Sequence, residues 1–168
     1  MQDVALFNLG PIFKLLLLAA VVAMGPLAWV WLRHRHQDVP QRVHQLTALT
    51  LFLCFDLVLF GSFTRLSDSG LGCPDWPGCY GHASPFGADE AIEAAQTAMP
   101  TGPVTLSKAW IEMIHRYLAM TVGALILTLA VFAWRRDRSL CGWPTLSLVW
   151  VCVQGGFGAL TVTMKLFP

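Results

Sequence analysis

Charge is scarce in this 168-residue chain: Asp, Glu, Lys and Arg make up 12% of it, against 55% hydrophobic residues, and the mean hydropathy is +0.58. Soluble domains carry about 25% charged residues, so the composition excludes an ordinary soluble domain and points to an integral membrane protein. No lysine- or arginine-rich block and no nucleic-acid motif is present, and the formal net charge is only +1. Nucleic acid is therefore not an expected partner. No internal repeat or low-complexity tract occurs, and no histidine follows His115.

What the chain does have is long apolar runs. Four stretches, approximately Pro11–Leu32, Leu46–Thr64, Trp110–Trp134 and Leu146–Phe167, reach the length of about 20 residues that a helix needs to cross a bilayer core. The first lacks a small-residue cleavage site and is followed by further apolar segments, so it is expected to be a retained helix. Arg33, Arg35 and Arg42 flank the first short loop and Arg135, Arg136 and Arg138 the third. The long loop 65–109 instead carries Asp68, Asp75, Asp89, Glu90 and Glu93 against Arg65 and Lys108. The positive-inside rule then places the short loops in the cytoplasm and the long loop outside. The expectation is an all-α, polytopic membrane protein: one transmembrane domain over 1–168, with four helices up and down in lipid and a structured outer loop.

That loop opens with "RLSDSGLGCPDWPGCYGH", whose glycines and prolines specify turns. Cys73 and Cys79 are separated by five residues in a segment placed outside, where a disulfide can persist. A structural staple, a redox-active pair and a metal-binding pair all remain open, although zinc usually takes two closely spaced ligand pairs and only one is present. Ala88–Met99 has helix-forming composition and is expected to form a short surface helix. "PTGP" then ends it, with Ser107 as the expected N-cap of the third crossing.

The third crossing begins "AWIEMIHRYLAM". Glu112, His115 and Arg116 are spaced three and four apart and share one helix face, and ionisable groups inside a crossing suggest function. Imidazole is a haem-iron ligand, arginine can pair with a propionate, and a carboxylate one turn away can move protons. An interfacial Glu–Arg pair beside a hydrogen-bonded histidine is the alternative. Ala119 and Gly123 continue the face with small side chains. In the fourth crossing, Gly155, Gly158 and Ala159 permit tight helix packing or the approach of a flat cofactor.

Asp56 lies deep in the second crossing, either handling protons or pairing with a polar neighbour such as Gln154, and Arg65 closes that helix at the level expected for Glu112 and Arg116. Cys54, Cys141 and Cys152 read as small hydrophobes. His34, His36 and His44 sit with the cytoplasmic basic residues and suit lipid headgroups. His82 borders the cysteine loop and has no assigned role.

Together, "GSFTRLSDSGLGCPDWPGCYG" (Gly61–Gly81), "EMIHR" (Glu112–Arg116) and "QGGFGALTV" (Gln154–Val162) resemble the haem A synthase family, membrane enzymes that convert haem O to haem A for cytochrome oxidases. The likeness runs from about Leu51 to Pro168. It implies that His115 is an axial haem ligand, that Glu112 is the acidic residue needed to oxidise the haem methyl group, and that Cys73 and Cys79 form a disulfide. Arg65 and Arg116 are expected at the propionates, by charge and depth. Haem O and haem A would be substrate and product, with haem b a further candidate cofactor. The implied location is the bacterial inner membrane with the cysteine loop periplasmic, and the implied partners are haem O synthase or cytochrome oxidase assembly factors.

Family members of full length carry two four-helix halves, and this chain stops where a further crossing with a second histidine ligand would begin. The expectation is therefore a half or truncated member, whose second ligand comes from His82 or from a partner chain, in a homo-oligomer or with a second-half chain. Two other functions are compatible with the residues. One is a non-catalytic haem-binding assembly subunit that needs a second chain. The other is a quinone-linked thiol oxidase, which would ordinarily use a C-x-x-C pair that is absent here.

Overall fold

The computed structural model describes residues 10–136 and 141–164, apart from the side chains of 10–12 and 14–16. Five α-helices follow one another among them: α1 (Gly10–Arg33), α2 (Val39–Leu66), α3 (Asp89–Ala98), α4 (Leu106–Arg136) and α5 (Gly142–Thr163), with a 3-10 turn at Pro85–Gly87 before α3. Among the described residues, α2, α4 and α5 are long and apolar enough to cross a membrane, and α1 adds a shorter apolar helix, Leu17–Arg33. The protein is thus an all-helical, polytopic membrane protein.

The helices outrun the apolar stretches that mark them. α2 begins seven residues before Leu46, with Pro40 in its first turn, where a missing N–H is not needed for helix bonding. Hydropathy registers the lipid-facing part of a helix, whereas backbone hydrogen bonding propagates into the polar flanks. α4 starts at Leu106, and its cap is Thr105: the Lys108 N–H donates to Thr105 Oγ1 at 3.3 Å and the Ala109 N–H to the Thr105 carbonyl at 2.9 Å. Ser107, the residue expected there, lies inside the first turn, its hydroxyl 3.2 Å from that of Thr105. The expected surface helix is α3, which carries Asp89 and Glu90 in its first turn and buries Ile92. Arg138 and Phe167, which entered the orientation and span expectations, lie outside the described residues.

α4 is the central helix. α1, α2 and α5 each pack on it, α1 also touches α2, and α2 and α5 share no contact among the described residues. Gly61 of α2 abuts His115 of α4 while Asp68, just beyond α2, pairs with Lys108 at 2.9 Å, so the two helices run antiparallel. Ala109, Met113, Val122, Leu125 and Ala130 of α4 are buried between neighbours. Leu51, Val58, Trp150 and Phe157 face outward and are more than half exposed, as suits a protein whose solvent is lipid.

Candidate functional site

The loop between α2 and α4 folds on itself and then onto α4. Cys73 and Cys79 are joined by a disulfide, and the Cys79 and His82 backbones exchange N–H···O bonds of 2.9 and 3.0 Å. Asp75 organises the turn between them: its carboxylate accepts the N–H groups of Tyr80 and Gly81 at 2.6 and 2.7 Å. Burial, with the Asp75 carboxylate adding to it, raises the Tyr80 phenol above its ordinary pKa and keeps it protonated. Gly72 is where the loop meets α4, since a Cβ there would stand 2.5 Å from the Lys108 carbonyl carbon. Cys73, Cys79, Ala88 and Ile92 then pack as one buried cluster on Ala109 and Met113.

Polar side chains of α4 secure this docking. Glu112 is 3% exposed; one carboxylate oxygen pairs with Arg116 and the other accepts the Cys73 N–H at 2.7 Å. Arg116 Nη1 donates to the carbonyls of Asp75 at 2.9 Å and Gly78 at 2.5 Å. Tyr117 donates its hydroxyl to the Ala83 carbonyl at 2.6 Å. A buried ion pair is tolerable only when its remaining hydrogen-bonding capacity is met, and here the loop backbone meets it.

His115 faces a different neighbour. Its imidazole is half-buried against α2, parallel to Phe60 (14° between planes, centroids 6.4 Å apart), with Nε2 only 3.0 Å from where a Cβ on Gly61 would stand. Among the described residues it makes no hydrogen bond, while the Glu112–Arg116 pair of the alternative reading is present. The three residues of "EMIHR" therefore divide: Glu112 and Arg116 hold the loop, and His115 lies at the α2–α4 seam.

Other expected site residues lie apart from these. Arg65 is exposed and makes no side-chain hydrogen bond or ion pair among the described residues. Asp56 and Gln154 cannot pair as considered, because they lie on α2 and α5, which do not meet. His82 packs its ring against Gly87. No group of three or more metal-ligating side chains exists among the described residues. Two surface hollows, one lined by Gln37, Pro40 and His44 and the other by Tyr80, His82 and Phe86, include neither Glu112 nor His115. Asp75, Tyr117, Phe60 and Gly61 had not been singled out from the sequence; the "CPD" turn and the aromatic residue directly after "HR" were the available signals.

For a haem, α4 offers the His115 imidazole, beside the Phe60 ring of α2, with the small residues Ala119 and Gly123 further along α4. Gly123 has no atom within 4 Å of its Cβ position. The imidazole is a suitable donor for haem iron, and its Nε2 is packed against α2, 3.0 Å from the Gly61 Cβ position.

Residues 44–168 match the COX15-CtaA family, described as cytochrome oxidase assembly protein. The protein named Heme A synthase in Shewanella oneidensis is 42% identical over 123 residues, covering 73% of this chain and 37% of that protein. Those of Bartonella quintana and Allorhizobium ampelinum are each 31% identical over 122 residues, covering 64% and 65% of this chain and 34% and 33% of theirs. The chain thus spans about a third of the length of these relatives. No solved structure matches it. With three quarters of its length inside the match, the chain belongs to the COX15-CtaA family of cytochrome oxidase assembly proteins.

Proposed function

We propose that this chain is the haem-binding half of a haem A synthase-type oxidoreductase, which oxidises a methyl group of haem O to the formyl group of haem A. The observation that carries this reading is the half-buried His115 imidazole on α4, one helical turn from Glu112, whose carboxylate holds the disulfide loop. His115 would bind the haem iron, whose redox chemistry serves the oxidation. Glu112 is the candidate proton acceptor, and it would act as one only when released from Arg116 and the Cys73 N–H, which engage both its oxygens. Arg65, exposed and without an ion-pair partner among the described residues, is the cation best placed by availability to meet a propionate, because Arg116 is engaged with loop carbonyls. The loop would cover the haem edge on the periplasmic side of a bacterial inner membrane, an orientation supported by the basic residues Arg33, Arg35, Arg42, Arg135 and Arg136 at the opposite end.

A second chain is part of this proposal, either another copy or a second-half protein, with haem O synthase or oxidase assembly factors as suppliers and receivers of haem. It is supported by α5, which packs on α4 alone among the described residues. The same observation favours the second reading, a non-catalytic haem-binding subunit that acts only with a partner. A thiol oxidase is disfavoured because Cys73 and Cys79 expose no surface to an attacking thiolate.

Optical spectra of the detergent-purified chain, oxidised and reduced, for wild type and His115→Ala, with pigment extraction, test the proposal. A haem O or haem A signal that disappears with His115 supports the enzyme; a His115-dependent haem b signal alone, with no conversion even beside a partner, supports the assembly subunit. A wild-type chain that binds no haem defeats both.

A further inference from the structure

Tryptophans mark two levels along α4. Trp134 stands at its far end beside Arg135 and Arg136, where the exposed Trp31 of α1, near Arg33, and Trp143 of α5 also lie. Trp110 stands near the other end. From Trp110 to Trp134 the helix rises about 36 Å, which matches a hydrocarbon core of about 30 Å with part of an interfacial layer on each side. Tryptophan concentrates in those layers. Phe86, on the 3-10 turn before α3, packs edge-on against Trp110 with ring centroids 4.6 Å apart, and is itself 76% exposed. Leu106 and Ile114, one turn to either side of Trp110, are 46% and 40% exposed. Phe86 therefore joins the outward apolar face of a helix that can cross a membrane, not its packed side.

The rest of the loop runs alongside the same stretch of α4. Gly72 abuts Lys108 and the Cys73 N–H meets Glu112, while the carbonyls of Asp75 and Gly78 meet Arg116 and that of Ala83 meets Tyr117. Irregular backbone is tolerated at membrane depth only where protein groups satisfy it, and Arg116 and Tyr117 do so here. We propose that Phe86 and Trp110 form an interfacial anchor that seats the disulfide loop in the loop-side leaflet, with phospholipid acyl chains as its partner. The loop is then a wedge set into the membrane boundary and not a cap standing above it in water. The exposed acidic residues of α3, Asp89, Glu90 and Glu93, stay on the aqueous side. The anchor needs no haem ligation by His115.

The experiment reconstitutes the full wild-type chain in vesicles of phosphatidylethanolamine and phosphatidylglycerol that contain a phospholipid with a diazirine on its acyl chain. After illumination and digestion, mass spectrometry locates the lipid adducts. The segment around Phe86 is expected to be labelled as strongly as the lipid-facing segment around Phe157, and several-fold more than the segment around Glu93. Phe86→Cys carrying a nitroxide, with Cys54, Cys141 and Cys152 changed to Ser, measures depth in the same vesicles. Its label should collide mainly with oxygen, as one at Phe157→Cys does, whereas one at Glu93→Cys should collide mainly with a water-soluble nickel chelate. The wild-type adducts decide the matter if the labelled variant does not fold. Adducts at Phe86 no more frequent than at Glu93, or a Phe86→Cys label open to nickel, overturn the proposal by placing the loop in water. A label shielded from both probes and broadened by one on a second copy also overturns it, because a protein surface then covers Phe86.

Discussion

Glu112 and Cys73, 39 residues apart in sequence, are joined by a 2.7 Å hydrogen bond from the Cys73 N–H to the buried Glu112 carboxylate. The acidic residue of the "EMIHR" motif and the first cysteine of the loop are therefore one structural unit. The same carboxylate also neutralises Arg116, whose guanidinium reaches the far side of the disulfide turn at Gly78.

Removing Glu112 should consequently free the loop as well as alter any chemistry. Glu112→Ala leaves a buried guanidinium and a buried N–H without their partner, a loss on the order of 3–5 kcal/mol. The expected result is rapid protease cleavage within residues 67–105 while α2 and α4 stay protected, read by mass spectrometry of the fragments. Cleavage at the wild-type rate would show that the carboxylate does not hold the loop.

Arg116→Lys tests geometry at constant charge. A lysine can keep the ion pair with Glu112 but lacks the planar fork that spans Glu112 and the carbonyls of Asp75 and Gly78 together. Proteolysis of the loop intermediate between wild type and Glu112→Ala is expected, corresponding to about 1–3 kcal/mol for carbonyl bonds to a charged donor. A variant as protected as wild type would place the holding energy in the apolar cluster instead.

The disulfide should resist reduction in the native state, because neither sulfur is exposed. Maleimide labelling after mild thiol treatment is expected to report Cys73 and Cys79 only once the protein is denatured. Cys73→Ser with Cys79→Ser should lower stability by about 2–3 kcal/mol, given the short closed loop. Ready labelling of the native protein would show that the loop opens and would revive thiol exchange as a function.

Much of this was legible beforehand, and the parts that were not share a cause. Apolar runs and turn residues are local signals, so the membrane helices, α3 and the shape of the cysteine loop could be read from them. It is the family resemblance that implies the disulfide found at Cys73 and Cys79; spacing alone leaves them open between a staple, a redox pair and a metal pair. Partners across the fold cannot be read that way. The same charge and depth that suggested a propionate for Arg116 serve equally well for loop carbonyls, and only the packing of the loop on α4 shows which groups it meets. Asp56 and Gln154 are both polar residues in apolar helices, yet the central position of α4 keeps α2 and α5 apart. The cap moved from Ser107 to Thr105 because both hydroxyls qualify by type and the backbone chose the earlier one.

Gly72 provides the sharpest test of the docked loop. A Cβ there would lie 2.5, 2.6 and 2.7 Å from the carbonyl carbon and oxygen of Lys108 and the nitrogen of Ala109, all backbone atoms in the first turn of α4. No side-chain rotation can relieve such a contact, so Gly72→Ala must displace the loop from the helix, at a cost of about 1–3 kcal/mol. Because the next residue, Cys73, supplies the N–H that donates to Glu112, the displacement also weakens that hydrogen bond. Gly70→Ala is the matched control, since Gly70 has nothing within 4 Å of its Cβ position. Hydrogen exchange of the loop amides is expected to rise in Gly72→Ala, most at Cys73, and to stay near wild type in Gly70→Ala. Equal protection in both variants would mean that the loop is not seated on α4 at Gly72.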